Sequence, residues 1–370
     1  FSMHPTIHNR KIALDTAHDV GPEVIVQGAI QALKRKGGEE LYIIFAGDQR
    51  KIANIVNTHD PRGKISHRMD VVHTTEKFDN GEVERSPKEA LRAKPDASIT
   101  MAANLLTESE GRTLKANALV SAGDTGATAW IARRSLKKIQ GIITPVIAAT
   151  IPGRHHPIVM ADVGANPDPT ASPENYLHRA IMCEVLYNLK FGIPEKRRGI
   201  GQLNIGEEPE KGSQYERAVY RYLMEHMPNF IGNVEPTDMF KSKVRRKKEG
   251  EEDNGEYESS AHVVVTDGKT GNVFIKTSKG TLGLVWDKMP KFLKELARGI
   301  QRLGLTPKSL NYSKHGGSPL LGLRHPVIIA HGTAPANSIE KAIWQAATFD
   351  NQTFVSRVRE CLDPKEEAVA

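Results

Sequence analysis

The chain has 370 residues, 39% of them hydrophobic and 26% charged, and a formal net charge of +7. That length can bury a sizeable core, and the balance excludes a disordered chain. No apolar run approaches the roughly 20 residues that a membrane-spanning helix needs, and Cys183 and Cys361 are too few for a disulfide framework or a zinc site.

The start lacks the apolar core of a signal peptide, and Phe1-Ser2 ahead of Met3 reads as a cloning remnant. A cytoplasmic, reducing setting is expected. The basic balance favours acidic partners, such as an acidic carrier protein or an anionic membrane surface. Nucleic acid is not expected: the chain has no aromatic-interleaved RNA motif and no helix-turn-helix signature.

In chain order, Ile12–Asp15 predicts a short buried strand and Val24–Leu33 the helix after it. Apolar runs at Leu41–Gly47, Ala118–Ser121, Val146–Thr150, Ile158–Asp162, Ile200–Ile205, Val263–Thr266 and Val327–Ala330 repeat the strand pattern. Helical periodicity follows at Pro173–Leu189, where Cys183 reads as a buried inert thiol, and at Ser213–Met227. Such alternation predicts an α/β fold with a mostly parallel sheet covered on both faces, its ligands at the carboxyl ends of the strands. One domain over residues 11–365 is expected. Lys241–Ser260 is nearly devoid of apolar residues and reads as a flexible charged insertion. Within Gly280–Leu310, apolar and basic residues alternate at helical spacing around Pro290, which predicts an amphipathic helical segment at 282–310. Packing on its own domain or on a second subunit suits that pattern as well as a membrane surface does.

Four loops follow predicted strands and combine glycine with small polar residues: V-S-A-G-D-T-G-A from Val120, M-A-D-V-G-A-N from Met160, L-N-I-G-E-E-P-E-K-G from Leu203 and V-T-D-G-K-T-G-N-V-F-I-K from Val265. Glycine lets backbone N–H groups approach an anion, and a following helix adds its positive end. His315–Leu323 (H-G-G-S-P-L-L-G-L) reads either as the lining of an acyl channel or as a tight turn into a buried strand.

These strings, in this order, resemble the PlsX phosphate acyltransferases, together with F-I-G-N-V-E and V-I-I-A-H-G-T. The similarity spans roughly Ile12 to Ala347. It implies a homodimeric three-layer fold of the isocitrate/isopropylmalate dehydrogenase type. It implies conversion of acyl-ACP and inorganic phosphate to acyl phosphate and free acyl carrier protein, on the route to phospholipid. Peripheral membrane contact near 282–310 and a glycerol-3-phosphate acyltransferase partner are also implied. Three departures stand out: a shortened first loop at Thr16–Asp19, Asp124 in place of the family's Asn, and Thr144 in place of an Arg before Pro145.

Phosphate is the nucleophile in such a reaction, so no Ser or Cys nucleophile, metal or organic cofactor is expected. Gly123, Thr125, Gly126, Asp162, Asn166, Asn204, Lys211, Gly271 and Asn272 are the candidate phosphate and substrate ligands. Lys276, oriented by Asp267, is a candidate cationic clamp, and His331 a candidate acid for the leaving thiolate. Turn or cap roles for Asp162 and Asp267, and a backbone-bonded core position for His331, are the plainer alternatives. Asp124 reads as the N-cap of a helix over Thr125–Arg134. Two other functions stay open. The D-V-G-P-E-V segment from Asp19 resembles the opening of isopropylmalate dehydrogenases, which points to a metal- and NAD-dependent oxidoreductase. The altered first loops point to a non-catalytic homologue that binds acyl carrier protein, or one of changed specificity.

Overall fold

A computed structural model describes residues 10–79, 81–107, 114–153, 156–166, 168, 170–192, 199–240, 261–295 and 316–363. The chain divides into two compact units: Phe1–Pro145 with Ser313–Arg359, and Val146–Tyr312 with Glu360–Ala370. Among the described residues the strands are β1 (Arg10–Asp15), β2 (Leu41–Gly47), β3 (Met69–His73), β4 (Ala118–Ser121), β5 (Val146–Ile151), β6 (Ile158–Ala161), β7 (Gly199–Leu203), β8 (Phe230–Val234), β9 (Ala261–Val265), β10 (Ser318–Leu321) and β11 (Val327–Ile329).

In the first unit the strand order is β3-β2-β1-β4-β11-β10, parallel except for the antiparallel β10–β11 pair. Ile43, Ile44, Phe45 and Ala46 of β2 are all buried, as expected where helices cover both faces of a parallel sheet. The helix Pro22–Lys34 has Pro at its start and buries Ile25, Val26, Ala29, Ile30 and Leu33, an apolar stripe at helical spacing. It packs on the helix Ala336–Thr348 so closely that a Cβ on Gly28 would lie 2.6 Å from the Cβ of Ile339. Register sets Asp15, Ser121 and Ile329 side by side at one end of the sheet. The loops after β1, β4 and β11 therefore leave together.

In the second unit the order is β5-β6-β9-β7-β8, parallel except for β5–β6. Ala161, Val265 and Gln202 are aligned, so the loops after β6, β9 and β7 emerge at one edge. The helix Pro173–Phe191 covers this sheet and packs on the helix Gln214–His226.

Most predicted strands occur within a residue or two of their expected bounds. The segment from Gly268 is different: the expected loop is only two residues long, and a helix runs from Gly268 to Lys288 before the break at Pro290. The amphipathic segment predicted at 282–310 begins inside this helix, and its residues 296–310 lie outside the described ones. So does the predicted insertion at 241–260. No helix among the described residues is long and apolar enough to cross a membrane. Residues 318–321 form strand β10, in which Leu320 and Leu321 are buried.

Candidate functional site

In the second unit the site is built around Asp162, which follows β6 and has no exposed surface. Its Oδ1 accepts the N–H groups of Ile147 (3.1 Å), Gly164 (3.1 Å) and Ala165 (3.0 Å), and its Oδ2 accepts that of Asn166 (2.6 Å). One carboxylate thus folds the whole D-V-G-A-N loop. Burial pushes its pKa up. The Ala165 N–H, the nearby Arg179 charge and the other N–H bonds pull it back down.

The helix that starts at Gly268 rests on this loop. Asp267 caps it by accepting the N–H of Thr270 at 2.9 Å. Gly268 donates its N–H to the carbonyl of Asn166 at 2.8 Å. A Cβ on Gly268 would lie 2.4 Å from that same oxygen, and one on Gly271 would lie 2.0 Å from the carbonyl oxygen of Asp162. Both contacts are with backbone, which cannot swing away, so only glycine fits at either position. The side chain of Asn272 lies over Gly164, whose φ of 137° is open to glycine alone. Asn166, Asp267, Gly271 and Asn272 are therefore gathered in one place. The Gly271 N–H is spent on the Asp267 carbonyl, whereas the Lys269 N–H takes no partner among the described residues. Lys276 is exposed further along the helix.

The loop after β7 is folded by its own amides. Asn204 donates to the Lys211 carbonyl (3.2 Å) and to Asn233 Oδ1 (3.2 Å), and Asn233 donates to the Glu208 carbonyl (2.8 Å). Asn204 is buried and braces this loop, while Lys211 is exposed, with Glu208 4.0 Å away.

In the first unit a second buried carboxylate does similar work. Asp15 accepts the hydroxyls of Ser98 (2.5 Å) and Ser121 (2.7 Å) and the N–H of Ala17 (3.0 Å), and burial pushes its pKa up. Asp124 is the N-cap expected from the sequence and accepts the Ala127 N–H at 2.6 Å. The N–H groups of Thr125 and Gly126, in the same first turn, take no partner among the described residues. The N–H of Gly123 is held by Ser121 Oγ at 3.2 Å. His331 is exposed after β11, and its Nδ1 accepts the Thr333 N–H at 3.2 Å, which leaves the ring proton of the neutral form on Nε2. The loop after β1 is closed by buried His18, whose Nδ1 accepts from Val20 N while Nε2 faces the Ala334 carbonyl at 3.1 Å.

The sequence reading passed over Arg179, which lies in the helix over the second sheet. It is 1% exposed, and its Nη1 donates to the Thr266 carbonyl at 2.8 Å. Its position in a helix that buries several faces was the available signal. Among the described residues no cluster of three or more His, Cys, Asp or Glu is arranged to hold a metal. Asp162→Asn should lower stability by about 2–3 kcal/mol, because an amide offers one acceptor oxygen and sets its NH2 against a backbone donor. Thermal unfolding of the variant beside the parent chain checks this.

The family model described as "Fatty acid synthesis protein" matches residues 10–246 and 251–357. A phosphate acyltransferase of Exiguobacterium sibiricum is 34% identical over 356 residues, covering 94% of this chain and 97% of that relative. Another, from a Geobacillus species, is 33% identical over 95% of this chain and 98% of its own length. Among solved structures, a phosphotransacetylase from Streptococcus pyogenes aligns with a TM-score of 0.59 at 19% identity, over 93% of this chain and 95% of its own. The EutD phosphotransacetylase from Staphylococcus aureus aligns at 0.53 and 15%, over 95% and 94%. At such identities the structures establish a shared fold. The family model and the relatives above 30% identity, spanning nearly the whole chain, establish descent: this chain belongs to the fatty acid synthesis protein family, the PlsX phosphate acyltransferases.

Proposed function

We propose that this chain is a transferase that moves a fatty acyl group from an acyl-ACP thioester to inorganic phosphate. A phosphate oxygen attacks the thioester carbonyl, the C–O bond forms as the C–S bond breaks, and the carrier thiolate takes a proton. The names of the full-length relatives support the reaction class. The net charge of +7 favours an acidic carrier protein as donor. The finer fold type, that of the isocitrate/isopropylmalate dehydrogenases, is proposed with it, supported by a mostly parallel sheet with antiparallel exceptions.

One observation carries the reading: the Asp162 loop and the Asp267 helix start are locked together through glycines, with polar groups left at their rim. Such preorganised donors hold an oxyanion at no reorganisation cost. Asn166 and Asn272 are the proposed cradle in the second unit, where Gly271 seats the helix on the loop and Asp162 and Asn204 brace the loops from behind. Lys211 and Lys276 supply positive charge, and Asp267 holds the helix end. The same phosphate-binding role is proposed for the N–H groups of Thr125 and Gly126 in the first unit, where Gly123, its N–H held by Ser121, turns the chain into them, and His331 is the proposed acid for the thiolate. The chain is proposed to act in the cytoplasm as a homodimer, with peripheral contact at the inner face of the membrane. A glycerol-3-phosphate acyltransferase would receive the product.

Incubation with acyl-ACP and phosphate, followed by hydroxylamine trapping, should give acyl hydroxamate in proportion to enzyme. Its absence, with carrier protein still bound, would favour the non-catalytic alternative.

Asp124 sets a second test. A carboxylate about 4 Å from a phosphate charge costs roughly 4 kcal/mol at an effective dielectric of about 20. Asn caps a helix equally well. Asp124→Asn should therefore lower the KM for phosphate by about three orders of magnitude if the Asp124 carboxylate faces the anion, and leave it unchanged if it does not.

Leu282 (64%), Leu284 (59%), Val285 (55%) and Phe292 (67%) are well exposed, with Lys288, Lys291 and Lys294 beside them. That composition suits an anionic bilayer surface. Phe292→Glu should release the protein from anionic vesicles in a flotation assay. Unchanged flotation with an altered oligomeric state would assign the patch to a second subunit.

A further inference from the structure

The ends of β1 and β4 meet the helix Thr125–Ser135 through a compact group of polar side chains. Asp15, Ser98, Ser121 and Thr128 are each no more than 3% exposed, so bulk solvent is excluded from the group. Ser98 Oγ lies 2.5 Å from Asp15 Oδ1, and Ser121 Oγ lies 2.7 Å from Asp15 Oδ2. Ser121 Oγ is also 3.0 Å from Thr128 Oγ1, which is 2.8 Å from the Asp124 carbonyl oxygen. Two backbone donors complete the group: the Ala17 N–H on Oδ1 at 3.0 Å and the Gly123 N–H on Ser121 Oγ at 3.2 Å.

This group is one proton short if Asp15 is ionised. Its four oxygen–oxygen contacts are at hydrogen-bond distance and need a proton in each, whereas the three hydroxyls carry one apiece. With Asp15 ionised, Ser121 must donate to it, and the single Thr128 proton has to serve both Ser121 and the Asp124 carbonyl. A proton on Asp15 removes the shortfall. It belongs on Oδ2, since Oδ1 already takes the Ala17 N–H and the Ser98 hydroxyl. Oδ2–H then donates to Ser121, Ser121 to Thr128, and Thr128 to the Asp124 carbonyl. Asp162 differs, because its four partners are backbone N–H groups, which cannot reverse. Burial favours the neutral form of Asp15. The hydrogen bonds from Ser98, Ala17 and Ser121 oppose it, and the Lys77 charge opposes it least.

The hydroxyls grip the chain at the Gly123 N–H and the Asp124 carbonyl, immediately ahead of Thr125 and Gly126. Asp15 Oδ2 lies against that turn: a Cβ on Gly123 would be 3.1 Å from it. An ionised Asp15 would set a negative charge behind the proposed anion site, and a neutral one does not. We propose that Asp15 is held as a neutral acid whose proton sets the direction of a hydroxyl relay, and that through this relay Asp15 and Ser121 are positioning residues for the acceptor phosphate. The phosphate role rests on the acyl-transfer reading, whereas the protonation does not.

Stability reads the protonation. A carboxyl that is neutral when folded and ionised when unfolded takes up a proton on folding. Any stability it confers is full below the unfolded pKa of about 4 and is lost as pH rises from there through the folded pKa. Asp15→Asn keeps an acceptor towards Ser98 and Ala17 and a donor towards Ser121, but has no such proton to lose. In urea titrations the unfolding constant of the parent, relative to that of Asp15→Asn, should grow about tenfold per pH unit from about pH 4 through about pH 7. An infrared C=O band of protonated aspartic acid, identified with isotope-labelled aspartate, should be present in the parent at about pH 7 and shift in Ser121→Ala, which removes the acceptor of the proton. Ser121→Ala also releases the Gly123 turn, so its KM for phosphate should rise about tenfold while kcat moves less.

A ratio of unfolding constants that does not change with pH would overturn the proposal. So would the absence of that band, a band unmoved by Ser121→Ala, or a phosphate KM in Ser121→Ala equal to the parent's. If Asp15→Asn does not fold, the infrared band decides the protonation alone. Should the parent chain form no acyl hydroxamate at all, the acyl-transfer reading fails by itself, and the band and the unfolding constants still decide whether Asp15 is neutral.

Discussion

A carboxylate with no exposed surface, placed at the end of a strand, is expensive, and the second unit of this protein is organised around offsetting that expense. Asp162 gathers backbone N–H groups from Ile147, Gly164, Ala165 and Asn166. The chain must curl into a tight loop to deliver them. The next element then has to fit the loop's backbone, and it does so only because Gly268 and Gly271 carry no side chain. The proposed site depends on this order of events: a buried anion shapes a loop, the loop seats a helix, and the helix start points its dipole at the rim.

The first unit uses the same device with different donors. Asp15 ends β1 and takes two serine hydroxyls and one N–H, which tie the ends of β1 and β4 to the helix carrying Ser98. Hydroxyl donors make a looser arrangement than four backbone groups. Asp124 caps the next helix through its bond from the Ala127 N–H. That bond closes the first turn of its helix, where the N–H groups of Thr125 and Gly126 take no partner among the described residues.

Much of the architecture was legible in the residues. Strands such as Leu41–Gly47 are continuous apolar runs, and parallel sheets covered on both faces demand such runs. The Asp124 cap could be read because a capping residue acts within four positions of itself. Met69–His73 and Phe230–Val234 went unread as strands: the first is only half-buried and carries Asp70, and the second holds Gly232 and Asn233. The segment after Asp267 looked like a loop because its glycines and β-branched residues disfavour helix. Tertiary contact overrode propensity there, since those same glycines are what let the helix dock. Gathering Asn166 with Asn272, or Arg179 with Thr266, depends on residues far apart in the chain, and local pattern carries no record of such meetings.

The helix from Gly268 to Lys288 has 21 residues. At 1.5 Å per residue it is a rod about 30 Å long, clamped at its capped end, with Leu282, Leu284 and Val285 exposed towards the other. Geometry makes such a rod forgiving. If it pivots near Gly268, a swing of about 3 Å at the far tip moves Gly271 by only about 0.5 Å. The greasy tip around Leu284 and Val285 has latitude to conform to whatever it touches, while the anchored turn stays in place to within the tolerance that chemistry demands.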